Sequence, residues 1–479
     1  MGVFTLFGEA NFPLLSRFMN SKIFTTLALL ICFCGSAAHA QKRRAPALKT
    51  ALSVSDIHFN PFYDPSLIDT LVKSPVSNWG SIFESSAIQS PNGYGADANY
   101  PLLRSAMSAM QQQDSLPQMV LITGDFLCHN FQSIYSQYAG AYPDSLESFT
   151  ARTIQFIAGY FDRTFPHTVV LAALGNNDSY CGDYNISPNS AFLKMFAQAW
   201  APLLRNRYAS EDSIFISSFS HGGYYEHRLA GGRASLLVLN TVFFSAKYTN
   251  ACEAGAANPV RDELKWLKKT LQANSMKKRP VWMAYHTPPG IDVHSTLHSK
   301  ARDCSSAVTL MMTDSANGEL LKLLKHYAAF IRFGIAGHTH MDDLRVVYKD
   351  SVPASCISIT PAISPLFGNN PAFKVLSFNS RTMSLVNYRT IYLGLNNQTQ
   401  GWTLEYDFQK AYQVNGINPL SLSRVRQKIA ADTLYRGRYI QYYTAGNPAS
   451  GEITNKNSKA FGCGTGCLTK KEFVSCYCK

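Results

Sequence analysis

"IRFGIAGHTHMDD", residues 331 to 343, runs from an apolar stretch into a small residue and then sets His338 and His340 one residue apart, ahead of two carboxylates. A strand that stops there and shows alternate side chains in one direction aims both imidazoles at a common point. Five other stretches have the same form: "ALSVSDIH" (51–58), "MVLITGDF" (119–126), "TVVLAALGNND" (168–178), "SLLVLNT" (235–241) and "RPVWMAYHTPPG" (279–290). Each reads as a buried strand feeding a loop. Between them lie helical patterns such as "RDELKWLKKTLQAN" (261–274), with Leu264, Leu267 and Leu271 at i, i+3 and i+7 and lysines opposite. Strand and helix alternate, which predicts an α/β fold whose functional groups gather beyond the carboxyl ends of the strands.

The polar residues stand at those ends. Asp56 and His58, Asp125, Asn176, His286, and His338 with His340 make seven metal-capable side chains from five strand ends. Carboxylate, imidazole and amide donors together suit zinc, manganese or iron better than calcium or magnesium, which prefer all-oxygen shells. Two such cations can activate a water, orient a phosphoryl group and neutralise its oxygens, so phosphoester hydrolysis is the reaction that gains most.

The remaining numbers bound the reading. A chain of 479 residues predicts one large domain with an appendage, or two domains. Hydrophobic content of 46% and charged content of 16% describe an ordinary globular protein. The net charge of +13 favours phosphates, nucleotides or an anionic membrane surface, but it is dispersed, and no nucleic-acid recognition motif accompanies it. Lys22, the apolar run Ile23–Cys34 and the Ala38-His-Ala40 pattern predict an export signal over residues 1–40, with Met19 as the expected true start and an extracytoplasmic location for the product. After about residue 395 the character changes. "GWTLEYDFQKAYQV" and "PLSLSRVRQKIAADTLYRGRYIQYYTAG" predict helices, with Leu422, Val425 and Ile429 on one face, before a Gly- and Cys-rich tail.

The ordered series D-x-H, G-D, G-N-N-D, H and G-H-T-H resembles that of the calcineurin-like metallophosphoesterases. "GNND", "HTPPG", "GHTHMDD", "YGADANYPLL" and "NPAFKVLSFN … WTLEYDFQKAYQ" further resemble the acid sphingomyelinase-like phosphodiesterase branch, related to endopolyphosphatases, over roughly residues 50 to 478. The resemblance implies a double β-sheet sandwich flanked by helices over 41–395, and a smaller helical, cysteine-rich C-terminal domain over 396–479. It implies two divalent ions, zinc foremost, bridged by Asp125. One takes Asp56, His58 and His340; the other takes Asn176, His286 and His338. It implies a secreted, monomeric hydrolase that opens phosphodiester bonds by attack of a metal-bridging hydroxide. Asp342 and Asp343 are expected either to accept from the imidazole N–H groups and fix their tautomers, or to be a solvated acidic pair.

The sequence departs from its relatives at Asn177, where many superfamily members carry histidine. An amide donates a hydrogen bond but cannot act as an acid. His129, four residues beyond Asp125, matches a histidine of the acid sphingomyelinase group and is the expected leaving-group acid. His294, His298, Tyr94 and Tyr180 are candidate rim residues. No saposin-like segment precedes residue 50, and no cysteine lies between 41 and 127, so a soluble diester or nucleotide is as reasonable a substrate as a lipid. Two alternatives stand beside the phosphodiesterase: a hydrolase of nucleotide or polyphosphate anhydrides, and an inactive binder of phosphate ligands. Nine cysteines follow the signal, four of them in the last seventeen residues, which predicts a disulfide-stapled tail. Convergence of the Asp125 and Asn176 loops predicts a Cys128–Cys181 bridge, with Cys252–Cys304 as the other pair and Cys356 free.

Overall fold

The strand ends predicted to carry ligands do converge. The structure, a computed structural model, describes residues 48–138, 145–206, 208–251, 258–396 and 401–479. The expected signal and the alternative start at Met19 lie outside the described residues, as does Cys252.

Two six-stranded sheets organise the chain. The first contains β1 (Leu48–Val54), β2 (Met119–Ile122) and β3 (Val169–Ala172), which run parallel. The second contains β4 (Tyr225–Leu229), β5 (Ala234–Val238) and β6 (Val281–Ala284), with β4 antiparallel at its edge. A separate two-stranded pair is made by β7 (Ile291–Asp292) and β8 (Thr309–Leu310). β9 (Ile331–Ala336), β10 (Asp343–Lys349) and β11 (Val352–Ile359) complete the second sheet in the order β10-β11-β9-β6-β5-β4. β12 (Ala372–Asn379), β13 (Leu385–Leu393) and β14 (Trp402–Asp407) return to the first, in the order β14-β13-β12-β1-β2-β3.

The central strands are buried on both faces, which is why they read as unbroken apolar runs rather than alternating ones. The sheets face each other. Trp282 on β6 packs edge-on against Phe378 on β12, with ring centroids 5.2 Å apart, and its Nε1 donates to the Met383 carbonyl. Lys374 of β12 donates to the Ser358 hydroxyl and the Ile359 carbonyl of β11, each at 2.7 Å. Helices cover the outer faces. The predicted helix at 261–274 lies within Pro259–Met276, capped by the Asn258 side chain, with Leu267 and Leu271 buried and Leu264 partly so.

Leu48–Lys479 cluster as one unit. "WTLEYD", expected from sequence to be helical, is instead β14, paired antiparallel with β13 at the sheet edge. The predicted helices follow it, at Phe408–Tyr412, Pro419–Ala431 and Thr433–Tyr443, and Leu422, Val425 and Ile429 are buried as their spacing requires. No described helix is long and apolar enough to cross a membrane.

The cysteine pairing differs from expectation. Cys463–Cys476 staples the tail to itself, and Cys304–Cys478 ties it to the short helix Cys304–Ala307 before β8, so Cys304 is not available to Cys252. Cys128 is a buried free thiol and Cys181 is bonded elsewhere, so those two do not pair. The Asp125 and Asn176 loops do meet, but Cys128 is turned into the apolar core, where burial pushes its thiol pKa well up. Cys356 is free, as expected, and so is Cys467.

Candidate metal centre

Each ligand loop leaves its sheet abruptly. Asp56, His58, Asp125, His338 and His340 all have left-handed backbone, with φ of 48°, 43°, 58°, 74° and 63°. That conformation costs a non-glycine residue about 1–2 kcal/mol, and such strain gathers where a side chain must be aimed. Two glycines permit the close approach. A Cβ on Gly175 would strike the Asp125 carboxylate, and one on Gly337 would strike the hydroxyl of Ser55.

The seven predicted ligands come together. Asp125 Oδ2 lies 3.4 Å from His58 Nε2 and 3.3 Å from His286 Nε2, placing one carboxylate oxygen between two imidazoles. On the first side, His340 Nε2 is 3.1 Å from His58 Nε2 and 3.5 Å from Asp56 Oδ1. On the second, His286 Nε2 is 3.0 Å from Asn176 Oδ1 and 3.1 Å from His338 Nδ1. Donors held at about 2.0–2.2 Å from one cation stand roughly 3 Å apart, so these spacings are compatible with donor sets on either side of Asp125 that could each hold a cation.

Tautomers support the same use. His58 Nδ1 meets the Leu127 carbonyl at 2.9 Å and His286 Nδ1 meets the Thr123 carbonyl at 2.8 Å; each must donate there, leaving a bare Nε2 lone pair facing the centre. Asn176 Nδ2 donates to Asp183 at 2.7 Å, which turns its oxygen inward. The Tyr184 hydroxyl sits 3.2 Å from His338 Nε2, leaving Nδ1 to face the site. His58 Nε2 and His340 Nε2 stand 3.1 Å apart, where one donates to the other unless a cation takes both lone pairs, and His340 Nδ1 is buried without a partner among the described residues.

Electrostatics agree in sign. Burial lowers His58 to about 4 and His338 to about 3, and lowers His340 further, so these imidazoles are neutral and able to ligate. Burial alone would raise Asp125, but the adjacent His286 and His58 and the Asn177 N–H hold it well below the usual carboxylate range. The same pairing lifts His286 to about 9 against its burial, and a cation beside Asp125 would displace that proton.

Two buried carboxylates outside the predicted set hold the loops. Asp178 accepts the N–H groups of Asp125 (2.9 Å), Phe126 (2.8 Å), Leu127 (3.2 Å) and Gly175 (2.8 Å), binding the "GNND" loop to the "GDFL" loop. Asp97 accepts the His129 N–H at 2.8 Å, and its carboxylate lies 3.1 Å from His129 Nδ1. The signal for both was their place inside "GNND" and "YGADANY". Apart from Gly175, their backbone partners lie 32 to 53 residues away in sequence and could not be read from it.

His129 stacks on His58 with ring centroids 4.1 Å apart, and lines a cavity of about 430 Å³ together with Asp125, Asn176, His338 and His340. Burial would lower its pKa, but Asp97 raises it above the ordinary histidine value. One nitrogen each of His58, His129 and His340 also falls within 4.8 Å of the others. Asn177 is not among the residues that line this cavity; its N–H and its amide donate to the two Asp125 oxygens at 2.8 and 3.1 Å.

The rim expectations divide. His294 lines the cavity, paired with Glu452 at 2.9 Å, and His298 stacks behind it. Tyr94 donates to Asn370 and Tyr180 packs edge-on against Phe192, and neither lines the cavity. Asp342 and Asp343 are neither tautomer-fixing acceptors nor solvated. Asp342 pairs with Lys374 at 2.7 Å and accepts from Thr390 and Tyr406, while Asp343 pairs with Arg345 and accepts from Tyr439, all buried. They tie the start of β10 to β12, β13 and β14 and to the helix Thr433–Tyr443.

Residues 352–476 match the family described as the acid sphingomyelin phosphodiesterase C-terminal region. The chain is 28% identical over 422 residues to acid sphingomyelinase-like phosphodiesterase 3b of Homo sapiens, covering 82% of this chain and 83% of that one. It is 25% identical over 415 residues to a cyclic GMP-AMP phosphodiesterase of Rattus norvegicus (83% and 84%), and 26% identical over 397 residues to sphingomyelinase phosphodiesterase C of Dictyostelium discoideum (78% and 81%). The resemblance to the acid sphingomyelinase-like branch therefore extends over most of the chain.

Proposed function

We infer that this chain, similar over four-fifths of its length to acid sphingomyelinase-like phosphodiesterases, is a binuclear metal-dependent phosphodiesterase. The observation that carries the reading is the Asp125 oxygen set between His58 and His286, with the remaining donors divided around it. Asp56, His58, Asp125 and His340 would hold one divalent ion; Asp125, Asn176, His286 and His338 would hold the other. Neutral imidazoles with carboxylate and amide oxygens favour zinc, with manganese or iron as alternatives. When bound, such ions supply an activated water and neutralise charge on the phosphoryl oxygens.

The protein's own groups do the rest. His129 is the leaving-group acid: Asp97 holds its Nδ1 edge and favours the protonated ring, so Nε2 is the atom that gives a proton to the departing oxygen. Asn177 positions Asp125. The cavity lining carries Asp183, Asp292 and Glu452 against Lys247 and Arg345, a balance that favours a diester over highly charged polyphosphate. Export is supported by the amino-terminal pattern and by the Cys304–Cys478 and Cys463–Cys476 bridges, which persist in oxidising compartments.

The test is metal analysis of purified protein, followed by assay with zinc or manganese on bis-(p-nitrophenyl) phosphate, nucleoside triphosphates, polyphosphate and sphingomyelin. Two ions per chain and turnover of a diester are expected. Tight retention of both ions by an active Asp125→Ala variant would overturn the assignment.

A further inference from the structure

Phe367 is a large apolar side chain left 52% exposed, and it lines the catalytic cavity. A lone exposed phenylalanine elsewhere on a surface needs no explanation. This one touches the chemistry: its ring centroid lies 4.6 Å from that of His340 at an interplanar angle of 74°, and 5.6 Å from that of His129 at 88°. It therefore stands as a wall perpendicular to the imidazole that faces the leaving group.

The turn that carries it is fixed rather than loose. Gly368 N–H closes onto the Pro365 carbonyl at 3.2 Å, the Asn447 amide donates to the Gly368 carbonyl at 2.7 Å, and Asn370 N–H donates to the Thr444 carbonyl at 3.1 Å. Ser364, three residues earlier, donates its N–H to the Asp56 carbonyl at 3.0 Å and its hydroxyl to Asp97 at 2.9 Å. The ring is thus held on the same framework that positions a metal ligand and the partner of His129. An apolar face kept exposed at fixed position beside an acid binds by stacking, at low entropic cost.

We propose that Phe367 is a specificity-determining residue that stacks on a planar ring borne by the leaving alcohol of the substrate. The inference rests on the phosphodiesterase reading and on His129 as acid. A cavity of about 430 Å³ has room for a phosphoryl group and one ring system, which favours a ring over a long hydrocarbon chain.

The experiment uses the metal-loaded full chain and three methyl phosphodiesters whose leaving alcohols have similar acidity: ethyl, benzyl and octyl. Wild-type protein should prefer benzyl to ethyl in kcat/KM by about fivefold to tenfold, the range of one aromatic pair plus its buried area. Phe367→Ala should abolish that ratio, Phe367→Trp should keep it, and Phe367→Leu should lose most of it, with thermal unfolding midpoints confirming that each variant folds. An unchanged ratio in Phe367→Ala, or a preference for octyl over benzyl that Phe367→Leu retains, overturns the proposal. Absence of turnover on all three by wild-type protein would instead sink the phosphodiesterase reading. The stacking is then read by calorimetry, as the affinity of benzylphosphonate relative to ethylphosphonate in wild type and Phe367→Ala, where equal ratios again overturn it.

Discussion

The floor and the rim of the catalytic cavity are built by different rules. On the floor, His58 and His286 each donate to a carbonyl of another loop, Asn176 donates to Asp183, Asp125 accepts from Asn177, and the backbone of Asp56, His58, Asp125, His338 and His340 is left-handed. On the rim, His294, Lys247 and Phe367 come from exposed positions, and what they meet is side chain or solvent. The contrast teaches that the floor depends on every one of its side chains, whereas the rim can exchange side chains and leave the floor in place. Changes to the floor should disable all substrates together, whereas changes to the rim should re-rank them.

Asp125→Ala should have the largest effect, because it removes the oxygen common to both shells. Both ions should be lost on dialysis, with turnover falling by about a thousandfold or more. Retention of one ion, read by elemental analysis, would mean that the two halves are independent and that the floor is not a single unit.

His129→Ala comes next. Hydrolysis of alkyl diesters should slow by roughly a hundredfold or more, while p-nitrophenyl esters, whose leaving group needs no proton, should lose much less. Equal losses would move His129 from acid to phosphate-binding or structural duty.

Asp97→Asn sharpens the same point through pH. The carboxylate raises the His129 pKa, and His129 must be protonated to act, so activity falls as pH rises through that pKa. Removing the charge lowers the pKa, and the basic limb of the kcat profile for an alkyl diester should move to lower pH. A profile that merely drops in height without shifting would show that Asp97 only holds the loop.

The smallest effect is expected at Glu263, a buried carboxylate outside both regions. Its Oε1 accepts the Asn240 N–H at 2.8 Å, and Oε2 has no partner among the described residues. Burial raises its folded-state pKa from 4.5 to about 8. The folded state thus holds the proton more tightly than the unfolded chain. Stability from this group is complete below pH 4.5, and is lost as pH rises toward 8. Glu263→Gln should flatten that slope by about 1–3 kcal/mol between pH 5 and 8, measured by urea unfolding. Equal slopes in both proteins would place the titration elsewhere.

The convergence of side chains on the floor was legible in the sequence because each candidate ligand closely follows its strand, so strand and side chain were read as one pattern. Asp56 and His58 after β1, or His338 and His340 after β9, needed no knowledge of the rest of the chain. Asp178 and Asp97 were not legible in the same way, since they act on backbone groups of other loops. The disulfides failed for a related reason: two loops can meet at their ligands while Cys128 turns into the core. β14 was missed because its exposed edge position leaves little apolar alternation in "WTLEYD", and Phe367 gave no signal because nothing in "SPLFGNN" marks which side chain faces a cavity.

The ligands are drawn from β1, β2 and β3 of one sheet and from β6 and β9 of the other, so bound ions would fasten the two halves of the sandwich across their open end. A ligand that binds only the folded chain raises its unfolding free energy, by about 4 kcal/mol at a thousandfold excess over Kd. Cation supply would then govern how long the protein survives proteases as well as how fast it turns over. Chelation would act first as a loss of durability.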